Sequence, residues 1–375
     1  GAVMAQIFNA DGSPRGAERQ INETTAEPQF NSDVAALDDG GFVVVWEDFS
    51  DSGGDPDGSA IRARLFEADG LPRGGELLVN TTTDFGQTDP RVTSLDDGGF
   101  AVVWEDLSET GQDDSFLAVR AQAFAADGSP QGGESLVNTI TFGSQSEPDV
   151  AALPDGGFVA VWQDNSLSGG QQLGSEIRGQ RFAAESTPAG GEFLVNTRTV
   201  GDQFNPAVLG LDDGRFVAAW ADGTELLGDD FVNTVRIQVY NADGTPVGEP
   251  VIVASPPTGT DTEVDLAGLA DGGFLVTWTE QDGAARRILA QRFDDTITPQ
   301  DTPLLVADTN IAETAKDPQV ETLADGDLAF VWKNTDADGD GIRAQAFSPA
   351  PPEGPSQVPA ERNITFILED DTPAT

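Results

Sequence analysis

Apolar and polar positions follow one repeated order along most of the chain. An apolar run is followed by an Asp-Gly turn, a second apolar run that ends in Trp, an acidic loop and two further apolar runs. In the first complete unit these runs are Val34 to Leu37, Phe42 to Trp46, Ala60 to Phe66 and Glu76 to Val79. The pattern predicts four short strands in every unit.

The Trp residues give the period of this repeat. Successive Trp residues are 58, 58, 58, 58 and 54 positions apart. A fixed period of this length is typical of architectures in which one supersecondary unit is copied and stacked. The six positions are Trp46, Trp104, Trp162, Trp220, Trp278 and Trp332.

The turns and the second strand together predict the fold class. Asp-Gly pairs supply the positive φ that tight hairpins require, so consecutive strands are expected to run antiparallel. The second run, Phe42 to Trp46 in the first unit, is apolar on both faces, and both faces must therefore be covered by protein. We predict an all-β protein, a β-propeller of four-stranded antiparallel blades, as a single domain over residues 1–375.

The number of blades depends on the two ends of the chain. The second strand with its Trp occurs six times, whereas the third strand occurs seven times, beginning with Val3 to Phe8. A proline-rich segment, 348–362, precedes a degenerate last strand, Asn363 to Glu369. We favour seven blades, with the ring closed by pairing of the N- and C-terminal strands. The alternative is six blades with one terminus outside the ring.

Composition excludes several classes of function. The chain has no Cys and no His, which removes thiol nucleophiles, the Ser-His-Asp triad and most transition-metal sites. Its formal charge of −46 opposes binding to nucleic acid and to anionic membrane surfaces. No apolar stretch is long enough for a membrane helix, so we expect no membrane insertion. No signal peptide opens the chain, and we expect a domain of a longer exported protein.

The acidic loop after the sixth Trp carries the clearest chemical signal. Oxygen ligands alternate along it and a Gly permits a tight wrap, which suits the six to eight oxygen ligands of Ca²⁺. The loop resembles DxDxDG calcium loops, without the Glu and the flanking helices of an EF-hand. The corresponding loop of the first blade is a second candidate, and the alternative for both is a solvated acidic loop. The predicted ligands are Asn334, Asp336, Asp338 and Asp340, and in the first blade Asp51, Asp55 and Asp57.

Two other repeated residue types have a structural and a functional interpretation. The Trp residues could stack on sugars, but each ends an apolar strand, which favours packing between blades. An Arg recurs in the third strand, as at Arg62 and Arg120, and either pairs with an acid of the neighbouring strand or helps to hold an anionic glycan. Polar residues before the first strand, as in Gln87 to Pro90, either shape the loop or build a ligand surface on one rim.

Catalysis by carboxyl groups alone is the third class of function that the composition permits. Glycosidases use a pair of Asp or Glu residues, and this chain is rich in both. An active site is expected to break the symmetry of a repeat, however, and the acids here follow the repeat. We therefore predict that the protein is not an enzyme.

The unit from Pro148 to Thr197 resembles the repeats of large secreted bacterial proteins of the RTX or hemolysin type. That resemblance implies export and a role at the cell surface, whereas the glycine-rich nonapeptide that binds calcium in RTX proteins is absent. We predict a non-catalytic extracellular binding or adhesion module with calcium-stabilised loops, whose partner is a glycan or a protein surface. A structural spacer and a carboxylate-based glycosidase are the alternatives.

Overall fold

The computed structural model describes most of the chain, and every regular element in the described part is a β-strand. The described residues are 1–9, 13–109, 116–166, 174–198, 201–227, 230–254, 262–282, 285–308, 314–323, 326–336, 339–347 and 364–369. The proline-rich segment 348–362 lies outside them.

Six sheets are built from strands that follow one another in the chain, and each is one blade. Two short strands, β1 (Val3–Phe8) and β2 (Arg19–Gln20), come before them. Blade 1 has β3 (Gln29–Ala36), β4 (Phe42–Asp48), β5 (Ala60–Phe66) and β6 (Leu77–Leu78); blade 2 has β7 (Gln87–Ser94), β8 (Phe100–Asp106), β9 (Ala118–Phe124) and β10 (Pro130–Leu136). Blade 3 has β11 (Gln145–Ala152), β12 (Phe158–Asp164), β13 (Glu176–Phe182) and β14 (Phe193–Leu194).

The second half of the chain continues the same order. Blade 4 has β15 (Gln203–Gly210), β16 (Phe216–Leu227), β17 (Asp230–Tyr240) and β18 (Pro246–Ala254). Blade 5 has β19 (Val264–Gly268), β20 (Phe274–Asp282), β21 (Ala285–Phe293) and β22 (Leu304–Asp308). Blade 6 has three strands, β23 (Thr314–Thr322), β24 (Leu328–Asp336) and β25 (Gly339–Phe347), and the last strand of the chain is β26 (Ile364–Glu369).

The predicted fold class is confirmed, but the favoured count of seven blades is wrong, because six blades of consecutive strands are present. The remaining sheet is different in kind: it has three strands in the order β2-β1-β26. In it Val3 lies opposite Glu369 and Phe8 opposite Ile364. The Val3 and Ile7 side chains pack with Trp46 of blade 1, so this terminal sheet covers the face of blade 1 that does not pack against blade 2.

The core lies between neighbouring blades, as the two-sided apolar strands require. Every residue of β4 is buried, and the Trp side chains are between 0 and 1% exposed in five blades and 9% exposed in blade 6. In blades 1 to 5 a Phe at the start of the second strand stacks on the aromatic residue that ends the third, as Phe100 does on Phe124 with ring centroids 5.0 Å apart. The Trp residues are therefore core residues, which confirms their structural interpretation.

A relay of buried polar side chains joins the terminal sheet to blade 1 and each of blades 1 to 3 to the next blade. Between blades 2 and 3, the Asn138 side chain accepts a hydrogen bond from the Val119 N–H of blade 2 and donates one to Gln145 of blade 3 at 3.1 Å. Gln145 donates to Asp164 at 3.1 Å, and Asp164 accepts from the Arg178 guanidinium at 2.6 Å. The relay recurs at Asn22-Gln29-Asp48-Arg62, Asn80-Gln87-Asp106-Arg120 and Asn196-Gln203-Asp222-Arg236.

A Glu on the outermost strand provides a second link between blades. Glu192 of blade 3 accepts hydrogen bonds from the N–H and hydroxyl groups of Thr139, both at 2.6 Å, in the segment that leaves blade 2. Its other oxygen accepts from Arg178 at 3.0 Å. Glu134 makes the same contacts with Thr81 and Arg120. These links explain why Arg, Glu and the Val-Asn-Thr segment recur together in the sequence.

The turn between the third and fourth strands offers a test of backbone strain in the repeat. Gly70, Gly128 and Gly244 occupy it with φ near +80°, but blade 3 has Ser186 there with φ +57° and a buried hydroxyl that has no partner within the protein. Replacing Ser186 by Gly is expected to stabilise the fold by about 1 kcal/mol, seen as a higher urea midpoint.

The matched control for that variant is Gly128→Ser. A Cβ at Gly128 would lie 2.7 Å from Leu77 Cδ1, so this change is expected to lower the midpoint. A lower midpoint for Ser186→Gly would contradict the strain argument.

Candidate functional site

The first strand of each blade lies at the inner edge of its sheet, beside the first strands of the neighbouring blades. These six strands, β3, β7, β11, β15, β19 and β23, surround the central channel of the propeller. Gln29 at the start of β3 pairs with Asp48 at the end of β4, so the start of each inner strand and the acidic loop after each Trp lie at one end of the channel. We call this end the mouth.

The inner strands carry a repeated bulge at the mouth. The strand register shifts there in five blades, and the bulged residue has a left-handed backbone, with φ between +48° and +52°. Non-glycine residues adopt this conformation at a cost, and bulges that re-aim side chains cluster near functional sites. The bulged residues are Asn31, Asp89, Glu147, Asn205 and Asp317, and Glu263 has the corresponding place in blade 5.

Deeper in the channel, one position alternates between an acidic and another residue. Asp33, Asp149 and Asp265 each accept the inner-edge N–H of a Val in the following blade, at 2.7–2.8 Å. These N–H groups have no strand beside them, so the carboxylates satisfy donors that would otherwise be unpaired. The same position holds Arg91, Ala207 and Gln319 in blades 2, 4 and 6.

The channel raises the pKa of these acids to different extents. Burial raises the pKa of Asp149 to about 6, and the opposing influences on it are the hydrogen bond from Val208 N–H and the positive charge of Arg91. Burial raises the pKa of Asp265 to about 8, and the negative charges of Asp149 and Glu321 add to the increase. A carboxyl group on the side of the channel away from Arg91 therefore stays protonated up to a higher pH than one beside Arg91.

Two glutamates on blades 2 and 3 are joined at the mouth. Glu105 accepts a hydrogen bond from the Glu147 N–H at 2.8 Å, and Glu147 accepts one from the Asn205 N–H at 2.9 Å. Burial raises the pKa of both carboxyl groups, and the charge of Asp89 adds to it. Asp89 is itself ion-paired with Arg91 at 2.9 Å.

A carboxyl pair lies at the mouth between blades 5 and 6. Glu263 accepts a hydrogen bond from the Asp317 N–H at 2.7 Å. Burial and the neighbouring Asp317 carboxylate raise the pKa of Glu263 to about 7. A carboxyl group that is half protonated near neutral pH, and that is only partly buried, can act as a general acid.

These raised pKa values predict how stability depends on pH. Above about pH 4 the folded protein holds protons on Asp149, Asp265 and Glu263 that the unfolded chain has released, so stability falls as pH rises from about 4 until each folded pKa, at about 6, 8 and 7, is passed. We expect the melting temperature to fall by roughly 5 °C between about pH 5.5 and pH 9 at constant ionic strength.

The Asp265→Asn variant isolates the channel contribution to this pH dependence. Asn keeps an acceptor for the Val320 N–H but cannot ionise, so the fall in melting temperature should be smaller. An exposed acid at the opposite end, Asp243, provides the control as Asp243→Asn. A melting temperature that is flat or rises with pH would contradict the assignment.

The predicted calcium ligands of blade 1 are not brought together. Asp55 is buried, with one oxygen accepting from the Asn80 side chain at 2.7 Å and the other from the Asp57 N–H at 3.3 Å. Asp51 and Asp57 are exposed. The backbone between these two residues is held by the Arg62 guanidinium, which donates to Gly53 O at 3.1 Å. Asp55 thus supports the relay between blades 1 and 2.

The predicted ligands of blade 6 lie on a hairpin. Asn334 is buried in β24, and Asp336 pairs with Gly339 across the turn between β24 and β25. Asp338 lies outside the described residues, as do the side chains of Asp336 and Asp340. Within the described part of the chain, no group of three or more acidic side chains is placed to hold a metal ion. Calcium binding stays a prediction from the sequence.

The recurrent Arg residues take the structural role. Arg62, Arg120, Arg178 and Arg236 each form a buried ion pair with the Asp two residues after the Trp of their own blade. They are part of the relay described above, which confirms the ion-pair interpretation. The polar residues before the first strand, by contrast, are the bulge of the mouth, and they include Asp89, Glu147 and Asn205.

Comparison with known proteins gives fold relatives only. No protein-family model matches the chain, and no curated protein matches its sequence. An α-L-arabinanase from Penicillium chrysogenum, complexed with arabinobiose, is 12% identical with a TM-score of 0.53, covering 85% of this chain and 93% of that one. An α-L-arabinofuranosidase from Fusarium graminearum, with an iminosugar inhibitor, is 11% identical with a TM-score of 0.54, covering 87% and 95%. The NanB sialidase of Streptococcus pneumoniae is 7% identical with a TM-score of 0.54, covering 85% and 67%.

These relatives correct the prediction of a non-catalytic module. Each is a propeller-like chain that acts on glycans, and the first two are covered almost completely by this chain. The prediction that the protein is not an enzyme rests on acidic residues that follow the repeat. In the channel they do not follow it, because the equivalent position holds Asp, Arg, Ala or Gln in different blades. In the described residues no helix is long and apolar enough to cross a membrane.

Proposed function

We propose that this chain is a glycoside hydrolase whose reacting groups are carboxyl groups at the channel mouth. The observation that carries the proposal is the Glu263–Asp317 pair, in which burial and a neighbouring carboxylate raise the pKa of Glu263 to about 7. The similarity in fold to an arabinanase and an arabinofuranosidase supports the same class of reaction. The substrate is a glycan that enters the channel at the mouth.

The chemistry available at the mouth is that of two carboxyl groups. Glu263 would donate a proton to the glycosidic oxygen, and Asp317 would keep that proton on Glu263 until the bond breaks. Asp89, whose negative charge is stabilised by Arg91 at 2.9 Å, and Glu147 are the candidates for the second carboxylate that acts as base or nucleophile. Asp89, Glu147 and Asp317 are bulged residues, whose backbone aims side chains differently from the rest of the strand, and Glu263 occupies the corresponding position of blade 5.

A tyrosine nucleophile, which sialidases use, has no counterpart here. The chain has a single Tyr, Tyr240. It is 1% exposed, it stacks on Phe216, and its hydroxyl donates to Val195 O at 2.5 Å. Tyr240 is therefore part of the core, and the proposal rests on carboxyl groups alone.

The proposal is tested by incubating the protein with a panel of polysaccharides and measuring reducing ends. We expect release of reducing sugar from at least one plant or bacterial polysaccharide, with a bell-shaped pH profile whose alkaline limb lies near pH 7, set by Glu263. Absence of hydrolysis across arabinans, xylans, mannans, glucans and galactans would overturn the proposal.

Several expectations from the sequence are retained as proposals. We propose that pairing of β1 with β26 closes the ring, since β26 supplies the strand next to β1 in the terminal sheet. We also propose Ca²⁺ binding by the loop that contains Asp336, Asp338 and Asp340, and an extracellular location in keeping with the resemblance to secreted repeat proteins. A rise in melting temperature of less than about 1 °C in millimolar Ca²⁺ would overturn the calcium proposal.

A further inference from the structure

We infer that the mouth binds an uncharged polysaccharide chain on a row of phenylalanine rings carried by blades 1 to 3. The inference deepens the proposed function, because it names the class of substrate for the same channel. The row is defined by five side chains that are 36 to 71% exposed: Phe30, Phe49, Phe85, Phe116 and Phe142.

All five rings lie at the mouth, and not at the opposite end of the channel. Phe30 is the second residue of β3, and Phe49 follows β4 directly. Phe85 and Phe142 precede β7 and β11, and Phe116 precedes β9. Because inner strands start at the mouth and second strands end there, these positions form one rim of the propeller.

The exposure of these rings has no explanation in the packing of the blades. Phe85 is 60% exposed and Phe116 is 65% exposed, so neither contributes much buried area to the fold. Large exposed apolar side chains that are grouped on one surface mark sites for ligands or partners. The Phe residues that start the second strands of blades 1 to 5 lie in the core, by contrast, as the Phe100–Phe124 stack shows.

Backbone strain at two of the five positions is a second and independent observation. Phe85 has φ +58° and Phe116 has φ +64°, which are conformations that bulky residues rarely adopt. Strain of this kind persists where the surrounding structure fixes a side chain for a purpose, and it is found at binding sites. The same left-handed turns hold Gly143 and Gly58 at the equivalent positions of other blades, so the turns themselves do not require a ring at Phe85 or Phe116.

The charge of the site decides which ligand suits these rings. The channel and mouth carry Asp33, Asp89, Glu105, Glu147 and Asp149, and in the described residues of these blades the channel Arg91 is already ion-paired with Asp89. An anionic sugar, such as a sialoside or a uronate, would meet net negative charge. A neutral sugar can place its C–H face on a ring and donate its hydroxyls to the neighbouring carboxylates.

The edge-on pair of Phe30 and Phe49, with centroids 5.8 Å apart, extends the row toward the acids of the channel. Phe30 lies next to Asn31, the bulged residue of blade 1. A polysaccharide that lies across the rim would thus pass from the outer rings to the channel opening. Several sugar units would be bound at once, which favours a polymer over a disaccharide.

The test measures binding and hydrolysis separately. Binding of debranched arabinan, xylan and galactomannan is compared with that of polygalacturonate and polysialic acid, by affinity electrophoresis and by calorimetry. The variant is Phe85→Asn with Phe116→Asn, because Asn tolerates a left-handed backbone and so leaves the loops in place. The control is Leu71→Asn, an apolar residue that is 52% exposed at the opposite end of the propeller.

We expect wild-type protein to bind a neutral polymer, and the double variant to bind it about 10-fold more weakly while Leu71→Asn is unchanged. Equal binding by the double variant, tighter binding of an anionic polymer, or no binding to any neutral polymer would overturn the inference. Phe-dependent binding without hydrolysis would support the inference and refute the hydrolase proposal. Hydrolysis that the double variant retains in full would do the reverse.

Discussion

Replacing Glu263 by Gln is expected to lower kcat for glycan hydrolysis by about 10²–10⁴-fold, because Gln cannot deliver a proton to the leaving oxygen. The pKa of Glu263 is about 7, raised by burial and by the Asp317 carboxylate, so the wild-type enzyme should lose activity as pH rises through that value. The variant should lose this alkaline limb together with its rate. The measurement is a pH profile of reducing-end release.

Asp317 gives a matched second variant. Asp317→Asn removes the negative charge that helps to raise the pKa of Glu263, so the alkaline limb should move to lower pH while part of the activity remains. Substrates with an activated leaving group, such as nitrophenyl glycosides, need less help from an acid and should be affected less by Glu263→Gln. Full activity of Glu263→Gln on a polysaccharide would contradict the assignment of the acid.

Replacing Asp164 by Ala is expected to cost about 3–5 kcal/mol of folding free energy. The Asp164 side chain is 0% exposed and accepts from Arg178 at 2.6 Å, from Gln145 at 3.1 Å and from both the N–H and the hydroxyl of Ser166. Removing it leaves a buried guanidinium short of one partner and several donors unpaired. The loss should appear as a lower urea midpoint.

Asp164→Asn is the informative control for this effect. Asn keeps the shape and one acceptor, and Arg178 still has Glu176 and Glu192 at 3.0 Å, so this variant should lose less stability than the Ala variant. Asp127→Ala, in an exposed turn, should leave the urea midpoint close to that of the wild-type protein. Equal midpoints for Asp164→Ala and Asp127→Ala would contradict the role of the relay.

The sequence was sufficient for the blade, because its signals are local and are repeated six times. Trp spacing, Asp-Gly turns and two-sided apolar strands each require a covered, antiparallel sheet. The recurrent Arg was also interpretable, since a buried Arg needs an acid, and in blades 1 to 4 the Asp two residues after the Trp lies across the strand pair. The terminal sheet was less predictable, because a strand such as β26 carries no Trp and no turn signal.

The channel was missed for a physical reason. The carboxylates deeper in the channel, Asp33, Asp149 and Asp265, come from three different blades, so the spacing of residues within one unit carries no sign that they share a channel. The useful signal is that one position of the first strand changes its residue type from blade to blade while the next residue stays apolar. This position holds Asp33, Arg91, Asp149, Ala207, Asp265 and Gln319. The acidic loops give a stronger signal in the sequence because their carboxylates are close together in the chain, but the Asp55 carboxylate is bound to Asn80 in the relay between blades.

Acidic residues occupy that channel position only in every second blade. Asp33, Asp149 and Asp265 are separated by 116 residues each. The arrangement of strands therefore repeats with every blade, whereas the acidic residues of the channel repeat with every second blade. Deleting blade 2 would place the Asp33 and Asp149 carboxylates in adjacent blades and remove the Arg91 that now separates them. Deleting two consecutive blades would keep the alternation. Blade-number engineering of this protein should therefore succeed in steps of two.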